Sequence, residues 1–191
     1  MAVAGTDRSH FAPVPTRSAR NERALVREAA RGSEQALAEL FRACWPGAYR
    51  AAFLIVHDHS AAEDIAQEAL VAAIRALDRF DRRRPLRPWL HRIVVNRAID
   101  WARLRSLRRE VLELEAADDD SENATRGWSD PVIAALAALT PDQRAVVVLR
   151  HLLEYTPGEI AAMLELPRGT VNSRLRRGLD VLKTQLEEPE R

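Results

Sequence analysis

Cysteine is almost missing from this chain: Cys44 stands alone among 191 residues. That excludes an internal disulfide and any zinc site built on several cysteines. Lysine is as scarce, with Lys183 the single one, so nearly all positive charge is arginine. Aromatic residues make up only 5% and glycines number seven. No window approaches 18 consecutive apolar residues, so no segment reads as membrane-spanning and no membrane insertion is expected. Arg8, Arg17 and Arg20 are followed by no apolar run of the secretory kind, which makes a cytoplasmic protein the expectation. Catalytic signatures are missing too. There is no G-x-x-x-x-G-K-[ST], no G-x-S-x-G and no metal-spaced set of His, Cys and Asp. His57 and His59, two apart in an expected turn, read as turn residues rather than ligands. The sequence therefore predicts no enzyme, no cofactor and no metal.

What is present is charge, arranged in blocks. The formal net charge is +1, but residues 75–109 hold twelve arginines against Asp78, Asp81 and Asp100. Residues 110–130 hold eight acids against Arg126. Residues 166–183 turn basic again, with Arg168, Arg174, Arg176, Arg177 and Lys183 against Asp180. A basic segment is the electrostatic footprint of a phosphate-binding surface, although a solvated face in an Arg-rich chain gives the same count. An acidic stretch between two basic ones can shield them from each other or from DNA.

Helical periodicity runs through the chain, and no strand alternation competes with it. Residues 1–20 lack any period and read as a mobile tail. Gly32-Ser33 marks a break with a helix cap, and Pro46 a second helix start. Ser60, with Glu63 three residues on, reads as a capping box opening a helix that runs to about Phe80. A basic loop follows, and Pro88 opens a helix from Trp89 past Arg103. Residues 110–129 read as a flexible acidic linker. Beyond it, Thr140-Pro141-Asp142-Gln143 and Thr156-Pro157-Gly158-Glu159 are two capping boxes, each with Pro at the first helical position. The expected fold class is all-α, with two small helical domains at 21–109 and 130–187.

Three faces carry chemistry. Thr156–Leu164, a short turn and a helix from Gly169 describe a helix-turn-helix, with Val171, Leu175, Leu179 and Leu182 inward. Arg176 and Arg177 can donate to a guanine edge, Asn172 can bond adenine, and Thr170 and Ser173 can reach phosphate. Trp89, Arg92, Asn96, Asp100 and Arg103 share about a third of the preceding helix, an aromatic–amide–arginine stripe suited to single-stranded DNA. Asp64, Gln67, Glu68 and Val71 share one face of the Ser60–Phe80 helix, which suits a protein partner. Each face has an ordinary reading: a charged helical hairpin, a core tryptophan, a solvated surface.

The segments AAEDIAQEALVAAIRALDRF, RPWLHRIVVNRAIDWAR and LPRGTVNSRLRRGLDVL, in that order, resemble bacterial RNA polymerase sigma factors of the extracytoplasmic-function group of the sigma-70 family. The resemblance spans residues 22–186. It implies a region 2 bundle over 21–109 and a region 4 helix-turn-helix over 130–187. It implies binding of core RNA polymerase, through its large beta and beta-prime subunits, by Asp64, Gln67 and Glu68. It implies recognition and melting of the minus-10 element by Arg82, Arg83 and Arg84 of the loop with Trp89, Arg92, Asn96 and Arg97. The loop departs from the small, acidic composition commoner in the family. Recognition of the minus-35 element falls to Arg168, Thr170, Asn172, Ser173, Arg176 and Arg177. Control by a cognate anti-sigma factor is implied as well. Two other readings compete: a stand-alone helix-turn-helix regulator that binds duplex DNA as a dimer, and an interaction module that sequesters another regulator.

Overall fold

The computed structural model describes residues 19–113 and 131–187. Most of the expected tail and of the acidic linker lies outside them. Every regular element among the described residues is helical: α1 (Ala19–Ala29), α2 (Glu34–Val56), α3 (His59–Arg75), α4 (Leu86–Glu113), α5 (Pro131–Ala137), α6 (Pro141–Val147), α7 (Pro157–Leu164) and α8 (Arg168–Glu187).

Several boundaries differ from the sequence reading. The cap of α3 is Asp58 rather than Ser60: its Oδ1 accepts from the Ala61 N–H at 2.9 Å. Its Oδ2 receives Arg105 at 2.9 Å, so one carboxylate starts α3 and ties it to α4. α3 ends at Arg75, and tight turns carry the chain to Phe80. Pro46 does not restart a helix; α2 runs through it. α4 begins at Leu86, whose N–H donates to Glu22 Oε1 at 3.1 Å, so a carboxylate of α1 satisfies an orphan donor at the start of a distant helix. α4 also continues to Glu113, past the expected start of the linker.

The two Thr-Pro boxes form as expected. Thr140 accepts from Gln143 and Thr156 from Glu159, and each partner's side chain returns to the cap N–H. Boxes of this kind contribute about 1 kcal/mol each. Val148–Leu152 then forms a π turn, which the sequence did not announce.

Small residues let the N-terminal helices approach closely. Ala48, Ala51, Ala52, Ala62, Ala66, Ala69 and Ala98 are all fully buried. With alanine at the crossings, backbones supply much of the contact, which is how a chain so poor in aromatics fills a core. Leu25, Val26, Leu40, Leu77, Phe80 and Leu86 form a smaller cluster that seats α1 against α2 and the loop before α4. The larger cluster does not stop at the N-terminal helices. It runs from Leu54, Ile65 and Val94 into Ile133, Leu136, Val146, Leu149, Ile160 and Val171. α4 packs on α6 and α7, and α2 on α6.

Gly178 shows how tightly α8 docks. A Cβ there would lie 2.9 Å from Val147 Cγ2. Leu179, expected in the core, is 42% exposed instead, because the close approach is made through Gly178 beside it.

Candidate nucleic-acid interface

α4 is the centre of the site. Leu90, Val94, Val95 and Ala98 are buried along one side, while Asn96 and Asp100 are exposed on the other. A helix that buries every third or fourth residue must present the intervening ones, which is why Arg92, Asn96, Arg97 and Arg103 lie along its outer surface.

Three of those arginines end on carboxylates. Arg92 pairs with Glu165, the residue that closes α7 in the left-handed conformation at φ 55°. Arg97 donates to Glu68 of α3 at 2.8 Å. Arg103 donates to Asp142 of α6 through Nη2 at 2.7 Å and Nε at 3.2 Å. The Asp142 carboxylate holds the Arg103 guanidinium above its ordinary range. Asp142 also receives Arg174 of α8 at 2.9 Å. Trp89 behaves differently from its neighbours on the stripe. It is half-buried, with its ring tilted against Phe80 at 4.8 Å between centroids, so it packs the loop onto α4. In that loop Arg82, Arg83 and Arg84 are exposed, with Arg84 3.8 Å from Asp81.

Beneath the stripe, His91 is only 4% exposed and shares a 2.8 Å hydrogen bond with the Tyr155 hydroxyl. Burial, aided by the Arg87 charge, brings the His91 pKa down to about 4. Burial pushes Tyr155 up to about 12. Both are neutral near pH 7, as a buried pair without a countercharge must be. His57 is held to about 4 by burial and by the charge of Arg144.

Sequence reasoning missed Arg144. Its guanidinium donates to the carbonyls of Leu136, Ala137 and Leu139 at 2.8, 3.0 and 3.0 Å, and to that of Ile55 at 2.6 Å. One side chain thus satisfies the free carbonyls at the ends of α5 and α2. Three acceptors lie within eight residues of Arg144 and the fourth is 89 positions away, so no sequence pattern announces the set. Tyr155 was missed for the same reason.

The second basic surface is on α8. α7 ends at Leu164 with Glu165 as its cap, the Leu166 N–H donates back to Ala161 at 3.0 Å, and α8 starts at Arg168. Val171 and Leu175 are buried, and Ile160 and Met163 of α7 meet the same cluster. Arg168, Asn172, Arg176 and Arg177 are exposed, and Thr170 and Ser173 are half-buried. Ser173 Oγ donates to the Thr170 carbonyl at 2.9 Å. Short helix, tight turn and a second helix with an arginine-bearing outer face is the geometry that enters a major groove.

The third surface lies on α3. Asp64, Gln67, Glu68 and Val71 are exposed, while Ile65, Ala69 and Ala73 are buried. Gln67 also lines a shallow groove with Phe41, Arg42 and Trp45 of α2. Phe41, Trp45 and Tyr49 stack in a row, with centroids 5.5 and 6.4 Å apart. That aromatic edge beside the acidic face was not expected, although its i, i+4, i+8 spacing is visible in the sequence. Among the described residues, no group of His, Cys, Asp and Glu is arranged to hold a metal ion. No described helix is long and apolar enough to cross a membrane.

Two family descriptions match the chain: Sigma-70 region 2 over residues 40–110 and Sigma-70, region 4 over residues 129–182. The ECF RNA polymerase sigma factor SigW of Bacillus subtilis is 30% identical over 178 residues, covering 85% of this chain and 95% of the relative. The RNA polymerase sigma-E factor of Streptomyces avermitilis is 35% identical over 140 residues, covering 72% and 78%. Among solved structures, CnrH in complex with the cytosolic domain of CnrY is similar over 89% of this chain and 98% of its own, with TM-score 0.65 and 29% identity. The sigma factor RpoE in complex with the anti-sigma factor NepR from Bartonella quintana is similar over 76% and 93%, with TM-score 0.58 and 25% identity.

Proposed function

The chain belongs to the extracytoplasmic-function group of the sigma-70 RNA polymerase sigma factors, and on that premise we propose how its surfaces divide the work. As a sigma factor it serves transcription initiation; RNA synthesis itself stays with the polymerase. The exposed acidic face of α3 (Asp64, Gln67, Glu68), with the aromatic edge of α2, docks on core RNA polymerase. Arg82, Arg83 and Arg84, with Arg92, Asn96 and Arg97 of α4, engage the minus-10 element as a single strand. Trp89 holds the loop in place for them. A base leaves the stack at a cost of a few kcal/mol, which amide and guanidinium contacts to its unpaired edge offset. Arg168, Thr170, Asn172, Ser173, Arg176 and Arg177 of α8 read the minus-35 element in the major groove. Residues 21–109 and 130–187 act as the two DNA-reading units in the cytoplasm. A cognate anti-sigma factor controls them, as CnrY and NepR accompany CnrH and RpoE.

The observation that carries this reading is the pairing of two differently built basic helices. α4 presents an exposed amide between arginines, and α8 presents arginines at the head of a helix-turn-helix. A stand-alone regulator has no use for the first. The test is transcription from a supercoiled library with purified core polymerase. Promoter-specific initiation that requires the chain is expected. Tight duplex binding by the free chain, with no core-dependent initiation, would overturn it in favour of the regulator.

A further inference from the structure

The N-terminal helices leave a cavity of about 860 Å³ between α1, the middle of α2 and the first turns of α4. That volume is in the range of small-molecule sites. Its presence has a local cause. α2 runs through Pro46-Gly47, and Gly47 has no side chain to fill the space over His91: a Cβ there would lie 3.6 Å from His91 Nε2. Leu25, Leu40, Ala43 and Leu90 give the cavity an apolar lining, joined by the half-buried thiol of Cys44. None of the residues assigned above to DNA or to the polymerase lines it.

The polar part of the lining is built from hydrogen-bond donors on α4. His91 reaches the cavity although it is almost wholly buried. Its Nδ1 is occupied by the Tyr155 hydroxyl, which has no other partner among the described residues. A buried hydroxyl gives its proton to the acceptor it meets. Nδ1 therefore accepts, and the neutral ring carries its proton on Nε2, the nitrogen without a partner among the described residues. Arg87, one turn earlier on the same face of α4, also lines the cavity, is exposed and makes no ion pair among the described residues. An N–H beside a guanidinium suits the paired oxygens of a carboxylate. Two acids line the cavity as well. Glu22 is committed to the Leu86 N–H at 3.1 Å, and with Glu39 it disfavours a second negative charge on anything bound there. We propose that this cavity binds a small amphipathic carboxylate, its one anionic end on Arg87 and His91 Nε2 and its apolar body along Leu25, Leu40 and Leu90. The site stands apart from the reading of α4 as a DNA surface, and its test needs no promoter.

Cys44 supplies the readout, because it is the single cysteine of the chain and lines the cavity. The full chain is reacted with N-ethylmaleimide, a neutral probe, at rising octanoate below micelle formation, and the thiol modification rate is followed by mass spectrometry. Saturating octanoate is expected to slow the reaction at least about threefold, since such sites cover most of a bound ligand. Octanol, which has the same chain without the charge, should need roughly tenfold more for half-protection. Arg87→Gln should raise the octanoate requirement about tenfold. Gly47→Ala should do the same by placing a methyl group over Nε2 while favouring the helix. No protection by octanoate would overturn the proposal, including the case of a thiol already shielded by another part of the chain. Equal protection by octanol, or stronger protection by octylammonium, would overturn the carboxylate assignment. An unchanged octanoate requirement in both variants would overturn it too. Should Gly47→Ala disturb folding by circular dichroism, Arg87→Gln, an exposed substitution, carries the same comparison.

Discussion

Two basic helices carry the chemistry of this protein, and the fold keeps them in opposite states. On α4, Arg92, Arg97 and Arg103 each rest on a carboxylate drawn from another helix. On α8, Arg168, Arg176 and Arg177 are exposed and make no ion pair among the described residues, whereas Arg174, turned toward α6, is paired with Asp142. Both segments look alike as runs of arginine. Net charge therefore does not say which surface is ready for DNA. The partner of each guanidinium does, and that partner is set by tertiary packing.

The comparison breaks most severely at Glu68, which belongs to the face proposed to dock on the polymerase and also holds Arg97. Asp64→Arg with Glu68→Arg puts two positive charges where two acids stood. Core affinity is expected to fall by about 3 kcal/mol, on the order of a hundredfold. Fluorescence titration of core polymerase measures this, and unchanged affinity removes α3 from the docking surface.

Next comes the support beneath α4. His91 has a folded pKa of about 4, below its ordinary 6.5. Its contribution is therefore complete above pH 6.5 and is lost as the pH falls toward 4. At pH 5 the loss amounts to about 2 kcal/mol. Urea unfolding at pH 7 and pH 5 should show it, and His91→Gln should shrink the difference between the two pH values. An identical pH dependence in the variant would mean that His91 is not buried in a neutral state.

The smallest effect is on the α8 side. Gly178→Ala places a methyl group against Val147, which is itself buried. Overpacking outweighs the gain in helix propensity, for a net loss of about 1 kcal/mol. Gly169→Ala, on the same helix with nothing within 4 Å, should be neutral or slightly stabilising. Equal responses at the two positions would show that α8 is not seated through Gly178.

Much of this was legible where the signal is local. The Thr140 and Thr156 boxes each contain their own donors and acceptors within four residues, so sequence and structure agree on them. The helix-turn-helix and the buried side of α4 follow from the 3.6-residue period. Reading failed where a residue's role is fixed from afar. Ser60 and Asp58 both suit a helix cap, and what distinguishes Asp58 is Arg105, 47 residues away. The spacing of Trp89 on α4 gives no sign of its ring contact with Phe80, which only the packing of the loop brings about. Nothing in the periodicity of α4 foretells that Glu165 and Asp142 lie on its arginines, because that pairing depends on how two separately encoded sets of helices meet.

The division between the two basic helices is tested most directly on promoter complexes of the holoenzyme, with permanganate reactivity reporting melted thymines and nuclease protection reporting the upstream contact. Asn96→Ala should keep upstream protection and lower minus-10 reactivity about tenfold, whereas Arg176→Ala with Arg177→Ala should lose the upstream protection first. Loss of both signals in parallel, by the same factor in both variants, would contradict the account.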